Sequence, residues 1–296
     1  MAGLYIFIVL IFRVVQALFY KRSSVEMKGL TMMVGYNSFQ SSISAALGLV
    51  LILVGGIGFS VDLLTVLVAL LSGTALFFSE FCYINAMKSG TVGLCSMFGT
   101  AGMIVPIIAG AVLFNKPVTP LQLVGVGLFF VAAYLLIGAS KTVYSNFTYK
   151  TLLLLLGSLL ANGCTMLAQQ MFTAYVPDGD VSVFSFLSFG IIGVLSGVMY
   201  AGMAAGKREE RENIKLSKTL VICGVVLAVS VFIINQLATI STALVSPVVL
   251  FTFVNGGGTI ISTLVAAIVY KEKIQKRTAA GVALGIISLV VIKMFE

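Results

Sequence analysis

The chain has 296 residues, of which 59% are hydrophobic and only 9% are charged. Soluble domains carry about a quarter charged residues, so this composition excludes an ordinary soluble domain and predicts an integral membrane protein. The formal net charge is +8, but the basic residues lie in short loops, where they set membrane topology rather than bind nucleic acid. There is no His and no CxxC pair, so we expect no metal site and no cofactor.

Apolar runs dominate the chain, and about 20 apolar residues suffice to cross a bilayer as a helix. Ten such runs follow one another, at 2–20, 30–54, 63–87, 91–114, 121–139, 152–175, 181–205, 219–240, 244–270 and 278–295. The polar break 140–150 divides them into two sets of five. We therefore predict two domains, 1–140 and 150–296.

The hydropathy pattern of residues 99–137 recurs without a gap from Asn255 onward. In each copy an apolar run ends in an aromatic residue, Phe114 or Tyr270, and a short polar knuckle and a glycine-spaced run follow. Because each half has an odd number of runs, the second half enters the membrane in the opposite direction. The predicted fold is an all-α integral membrane protein of ten transmembrane helices in two inverted five-helix repeats. The lipid bilayer surrounds these helices.

The basic residues are distributed unequally between the two sides of the membrane. Loops after even-numbered runs carry only Lys116. Loops after odd-numbered runs carry Lys21, Arg22, Lys28, Lys88, Lys141, Lys150, Lys207, Arg208, Arg211, Lys215, Lys218, Lys271, Lys273, Lys276 and Arg277. Because basic loops stay cytoplasmic, we predict a multi-pass protein of the plasma (inner) membrane with both termini extracytoplasmic.

Polar side chains within the apolar runs are costly to expose to lipid and therefore face a bundle interior or a wet cavity. They are the candidate substrate-binding residues: Arg13, Gln16, Tyr36, Asn37, Gln40, Glu80, Tyr83, Asn162, Gln169, Asn235, Gln236 and Asn255. Glu80 is also the candidate for proton coupling, or a counter-charge for a cationic substrate. Arg13 is either its partner or the anchor of an anionic group.

These residues also have structural interpretations. Amides join membrane helices through interhelical hydrogen bonds, and tyrosines pack. Arg13 and Glu80 could form an ion pair, or Arg13 could extend to the membrane surface.

Proline and glycine mark the positions where a helix can bend. The hinge candidates are Pro106, Pro247, Gly256 and Gly257. In the last run of each half, we expect glycines such as Gly125 and Gly127 to serve close helix packing.

The residues of a catalytic centre are missing. The chain has no His and no GxSxG, HExxH or P-loop motif, so it is not predicted to be an enzyme. A secondary transporter of a small polar metabolite, coupled to protons or to the exchange of a counter-substrate, remains as the predicted function. A non-transporting partner or scaffold subunit of a membrane complex is the alternative.

The run 86–137, which includes SGTVGLCSMFGTAGMIVPIIAGAVLFNKPVTPLQLVGVGLFF, and its second copy at 270–292 resemble the drug/metabolite transporter superfamily, in its ten-helix EamA-type members. Glu272 matches the acidic knuckle position of the family, and Lys116 departs from it. The termini also differ, since those of many relatives are cytoplasmic.

The resemblance implies alternating access around a central cavity, with the fifth and tenth helices at the periphery. It also implies a small-molecule substrate, such as an amino acid, amine, nucleoside or sugar derivative. Both a monomer and a homodimer are compatible with it.

Overall fold

The computed structural model describes residues 1–24, 26–27, 29–56, 61–87, 92–116, 118–136, 148–206, 217–269 and 276–294. The described residues are 89% helical, and they contain no strand. The helices are α1 (Ala2–Ser24), α2 (Leu30–Val54), α3 (Leu63–Met87), α4 (Val92–Ala101), α5 (Ile104–Leu113), α6 (Pro120–Leu136), α7 (Tyr149–Tyr175), α8 (Val181–Gly206), α9 (Lys218–Thr242), α10 (Pro247–Phe251), a π-helical turn (Thr252–Gly257), α11 (Gly258–Val269) and α12 (Lys276–Met294).

Seven of these helices are long and apolar enough to cross a membrane, namely α1, α2, α3, α7, α8, α9 and α12. Three shorter apolar stretches lie at Phe98–Leu113, Pro120–Leu135 and Pro247–Ser262. Large apolar side chains such as Leu53, Val112 and Ile268 are exposed on the outer surface. The chain is therefore an all-α, multi-pass membrane protein, with lipid as the solvent of its outer faces.

Two runs predicted as single helices are interrupted. The run 91–114 breaks at Gly102 and Met103, between α4 and α5. The break comes one turn before Pro106, whose ring removes a hydrogen bond and crowds the carbonyl four residues earlier. The run 244–270 begins as a helix only at Pro247 and passes through the π-helical turn before α11 starts.

Helices of the two predicted halves pack against each other. α2 and α8 run antiparallel and cross near their centres, where Gly193 lies against Ser42. Gly35 and Gly48 bring the two ends of the same pair into contact, because a glycine lets a neighbouring helix approach closely. α3 packs on α7, α1 on α9, and α6 on α12. The main apolar core lies between these pairs, around Phe251 of α10 and Phe129 of α6.

Two basic side chains fix helix ends. Lys116 donates a hydrogen bond from Nζ to the carbonyl of Thr242, at the C-terminus of α9, over 3.0 Å. A cation there complements the partial negative charge of the helix end. Arg277 lies over the Tyr134 ring at 4.7 Å and donates to the Tyr134 carbonyl at 3.2 Å, which ties α12 to α6. Glu272 and most of the predicted basic loop residues lie outside the described residues.

Candidate functional site

A cavity of about 160 Å³ lies between α1, α3, α7, α9 and the α10–π-turn segment. Seven predicted binding residues line it, Arg13, Gln16, Glu80, Asn162, Gln169, Asn235 and Asn255. The described residues contain no cluster of three His, Cys, Asp or Glu side chains that could hold a metal ion. The site is therefore a polar space with one basic and one acidic side chain on its walls.

Arg13 lies at the midpoint of α1 and points into the cavity. Its guanidinium donates to Gln16 Oε1 at 3.1 Å and to Asn255 Oδ1 at 3.3 Å. The third nitrogen, Nε, is buried and has no hydrogen-bond partner among the described residues. The stem of Arg13 lies against Gly258, where an added Cβ would be 3.2 Å from Arg13 Cγ. Arg13 is thus held by neutral groups and retains unused hydrogen-bonding capacity.

Glu80 lies on the wall that α3 contributes. Asn37 of α2 and Tyr20 of α1 lie close enough to its carboxyl group to interact with it electrostatically. Asn37 is held in turn by Ser196, to which it donates at 3.3 Å, and by Ser41, from which it accepts at 3.4 Å. No ion pair joins Glu80 to Arg13, because each side chain has neutral partners of its own.

The opposite walls carry neutral amides. Gln169 of α7 donates to Asn235 of α9 at 3.0 Å. Asn162 lies at the midpoint of α7 and donates to the carbonyl of Gly99, in α4, at 2.7 Å. Asn255 accepts from Arg13 and donates to the Phe251 carbonyl at 3.0 Å. Each of these amides donates a hydrogen bond to another group of the protein, and none of them carries a charge.

Five predicted binding residues lie outside the cavity lining, Tyr36, Asn37, Gln40, Tyr83 and Gln236. Tyr36, Asn37 and Gln40 lie on α2, which does not line the cavity. There Tyr36 packs against Leu220 and Leu227 of α9, Gln40 donates to the Tyr20 hydroxyl at 3.5 Å, and Asn37 supports Glu80.

The other two residues face neighbouring helices. Tyr83 packs against Ala86, Cys95 and Leu155. Gln236 faces α8, where it donates to Ser182 at 3.1 Å and accepts from Ser185 at 2.7 Å. Gln236 is adjacent to Asn235 in sequence, but a step of one residue rotates a side chain by about 100° around a helix, so the two point to different neighbours.

The lining residues of the two halves correspond at constant spacing. Leu76, Ser79 and Glu80 of α3 precede Val231, Ile234 and Asn235 of α9 by 155 positions each. Arg13, Gln16 and Tyr20 of α1 precede Asn162, Thr165 and Gln169 of α7 by 149 positions each. All twelve residues line the cavity. The walls that α1 and α3 contribute therefore have counterparts in α7 and α9, whereas the wall of α10 and the π-helical turn has none.

The other lining residues carried weak sequence signals. Tyr20 and Thr165 continue the polar stripes of Arg13 and Asn162, and that spacing could have identified them. The remaining ones are mostly apolar or small and are recognisable only as helical neighbours of the polar positions: Leu76, Ser79, Met166, Val231, Ile234, Ala238, Phe251 and Val254.

The four hinge candidates lie at or near irregular helix segments. Pro106 follows the α4–α5 break, and its carbonyl accepts a hydrogen bond from Gln170 at 3.2 Å. Pro247 opens α10, and Gly256 and Gly257 lie within the π-helical turn. Their role as hinges stays a prediction.

No known family model and no curated protein matches this sequence. Solved structures do match it in fold, with 29 similar chains. One crystal structure superposes with a TM-score of 0.80, covering 99% of this chain and 96% of its own chain, at 15% sequence identity. At this identity the similarity concerns the fold alone, over almost the entire length of both chains.

Proposed function

We propose that this chain is a secondary transporter that moves a small polar metabolite across the plasma membrane by alternating access. In this proposal it is an EamA-type member of the drug/metabolite transporter superfamily, with ten spans in two inverted halves, 1–140 and 150–296. The observation that carries the proposal is the cavity, because all six lining residues of the first half have a counterpart at constant spacing among the lining residues of the second half. Such internal symmetry around a central site is the architecture of many secondary transporters.

Helix packing supports the same two-fold relation. If the spans are numbered one to ten, with α4–α5 as the fourth and α10–α11 as the ninth, the symmetry exchanges spans that are five apart. The pairs α2–α8 and α6–α12 then map onto themselves, and α1–α9 maps onto α3–α7. The symmetry also maps the pair α3–α8 onto the pair α2–α9. The two helices of every pair named here are in contact.

The irregular spans support the proposal further. Gly102, at the break between α4 and α5, precedes Gly258, at the end of the π-helical turn, by 156 positions. In each half, a polar residue at the midpoint of the first helix forms a hydrogen bond to the irregular fourth span of the other half. Arg13 donates to Asn255, and Asn162 donates to Gly99, 156 positions before Asn255. Broken helices beside a central site are a common means of binding and gating in transporters.

Orientation in the proposal follows from the basic loops, which place the ends of the odd-numbered spans in the cytoplasm. Lys116, the exception, is occupied in capping α9. Glu80 then lies on the cytoplasmic side of the cavity and Asn235 on the outer side. The lone carboxyl group of the cavity is the proposed proton-coupling residue. Tyr20 of α1 interacts with it electrostatically, and Arg13 of α1 lines the same cavity. Tyr36 of α2 and Tyr83 of α3 interact in turn with Tyr20.

The test begins with a thermal-shift screen of the purified protein against amino acids, quaternary amines, nucleobases and sugar phosphates. Compounds that bind are then assayed for uptake into proteoliposomes with an imposed pH gradient. We expect Glu80→Gln to abolish the pH dependence of uptake while the protein stays folded. Asp62→Asn is the matched control, since it removes a carboxylate that is exposed outside the cavity and should leave the pH dependence intact.

Two outcomes would contradict the proposal in different ways. An unchanged pH dependence in Glu80→Gln would remove this residue from proton coupling but leave transport standing. The absence of uptake for every compound that binds, or of any binding, would favour a non-transporting membrane component.

A further inference from the structure

The cavity contains one positive and one negative side chain that do not neutralise each other. The hydrogen bonds of Arg13 go to two neutral amide oxygens, and its buried Nε has no partner. The Asn37 side chain that lies beside the Glu80 carboxyl group is a neutral amide. Among the residues that the structure describes, no other charged side chain lines the cavity. Because ionised groups inside a membrane protein are costly unless paired, both side chains are suited to charges that a ligand supplies.

The two charges lie at different depths. Arg13 is the middle residue of α1, whereas Glu80 lies five residues beyond Ala75, the middle residue of α3. At a rise of about 1.5 Å per residue, this corresponds to roughly 7.5 Å along the helix axis. The corresponding positions of the second half, Asn162 and Asn235, carry no charge. The cavity is therefore polarised along the membrane normal, with its positive group in the middle and its negative group toward one side.

We propose that this site binds a small zwitterion whose anionic group contacts Arg13 and whose cationic group contacts Glu80. The inference rests on the proposed transport function and specifies its substrate class. A simple anion would leave Glu80 unpaired, and a simple cation would leave Arg13 unpaired. The difference in depth favours charges on separate carbons over charges on the same carbon.

The size of the cavity restricts the ligand further. The volume of the cavity is about 160 Å³. Pockets for drug-sized ligands occupy about 300–1,000 Å³. A short aliphatic zwitterion is compatible with this space, whereas a nucleotide sugar is too large for it.

The test uses the full-length protein in detergent and a series of ω-amino carboxylates from glycine to 6-aminohexanoate, with butyrate and butylamine as singly charged controls. Unfolding is followed with a maleimide dye that reacts with the four free cysteines, all buried or half-buried. We expect the largest stabilisation from a middle member, such as 4-aminobutyrate, and none from butyrate or butylamine at the same concentration. Equal stabilisation by either singly charged control would overturn the proposal.

Two variants that move the carboxylate from one wall of the cavity to another test the geometry. Glu80→Asn should weaken binding of the zwitterion by about ten- to hundred-fold, the usual effect of losing a charge-assisted contact. Adding Asn235→Glu should restore binding, because Asn235 also lies five residues beyond the middle of its helix, at the corresponding depth on the other side. Gln236→Glu is the matched control and should not restore binding, since this side chain faces α8.

Two results would overturn the proposal at this stage, namely unchanged binding in Glu80→Asn and equal rescue by Gln236→Glu. Uptake in proteoliposomes separates this inference from the transport function itself. If butyrate or butylamine binds and is carried, the substrate class is wrong but transport stands. If the zwitterion binds and is never carried, the inferred site stands and the transport function fails.

Discussion

Replacement of Gly125 by Ala tests the close packing of α6 on α12. An added Cβ at this position would lie 2.6 Å from Ile292 Cγ1 and 3.2 Å from the Ser288 carbonyl oxygen. Ile292 is fully buried, so its side chain cannot move aside freely. Gly127 lies two residues further along the same helix and is exposed, with nothing within 4 Å of an added Cβ. The expectation that Gly127 also serves close packing is therefore wrong, and Gly127→Ala is the matched control.

The expected effect follows from two terms. Ala stabilises a helix by about 0.5–1 kcal/mol relative to Gly, and both variants gain this. Overpacking a well-packed interface costs about 1–3 kcal/mol, and only Gly125→Ala suffers it. The difference between the two variants, about 1–3 kcal/mol, thus isolates the α6–α12 contact.

The free energy of unfolding can be measured in mixed micelles by titration with a denaturing detergent. Because the chain has no Trp, maleimide labelling of the cysteines reports unfolding. Gly125→Ala should be clearly less stable than Gly127→Ala. Equal stability of the two variants would refute the close approach of α6 and α12.

Three further predictions follow from particular contacts. In uptake assays, Asn235→Ala should lower transport and Gln236→Ala should leave it intact. In unfolding assays, Gln236→Ala should reduce stability by about 1 kcal/mol, because it loses two hydrogen bonds to α8. Gly258→Ala should weaken ligand binding in thermal-shift titrations, because its Cβ would press on the flexible stem of Arg13, and unaltered affinity would contradict this placement. Ser44→Ala should reduce stability by about 0.6 kcal/mol, since it loses the 3.1 Å bond to the Ala228 carbonyl between α2 and α9, with uptake unchanged.

The sequence by itself determined the membrane class and most helix boundaries. Runs 30–54 and 63–87 coincide with α2 and α3 because apolar length and polar loops alone decide where a chain can leave the bilayer. It also located Arg13 and Glu80, since an ionisable residue inside an apolar run must face protein or water. The sequence marked Pro106, Pro247, Gly256 and Gly257 as positions where a helix can bend, and all four lie at or near the irregular segments. It did not specify the kind of interruption, because glycine and proline permit a break or a π-helical turn without requiring either.

Only the tertiary structure decided which polar residues share a cavity. Asn235 and Gln236 are equivalent amides in adjacent positions, yet one faces the cavity and the other faces α8. The sequence could not separate them, because the direction of a side chain depends on which neighbours surround its helix, and those neighbours come from the other half of the chain. The packing of α1 on α9 and of α3 on α7 brings the charged stripe of one half opposite the amides of the other. That arrangement is a property of helix pairing, which local hydropathy does not encode.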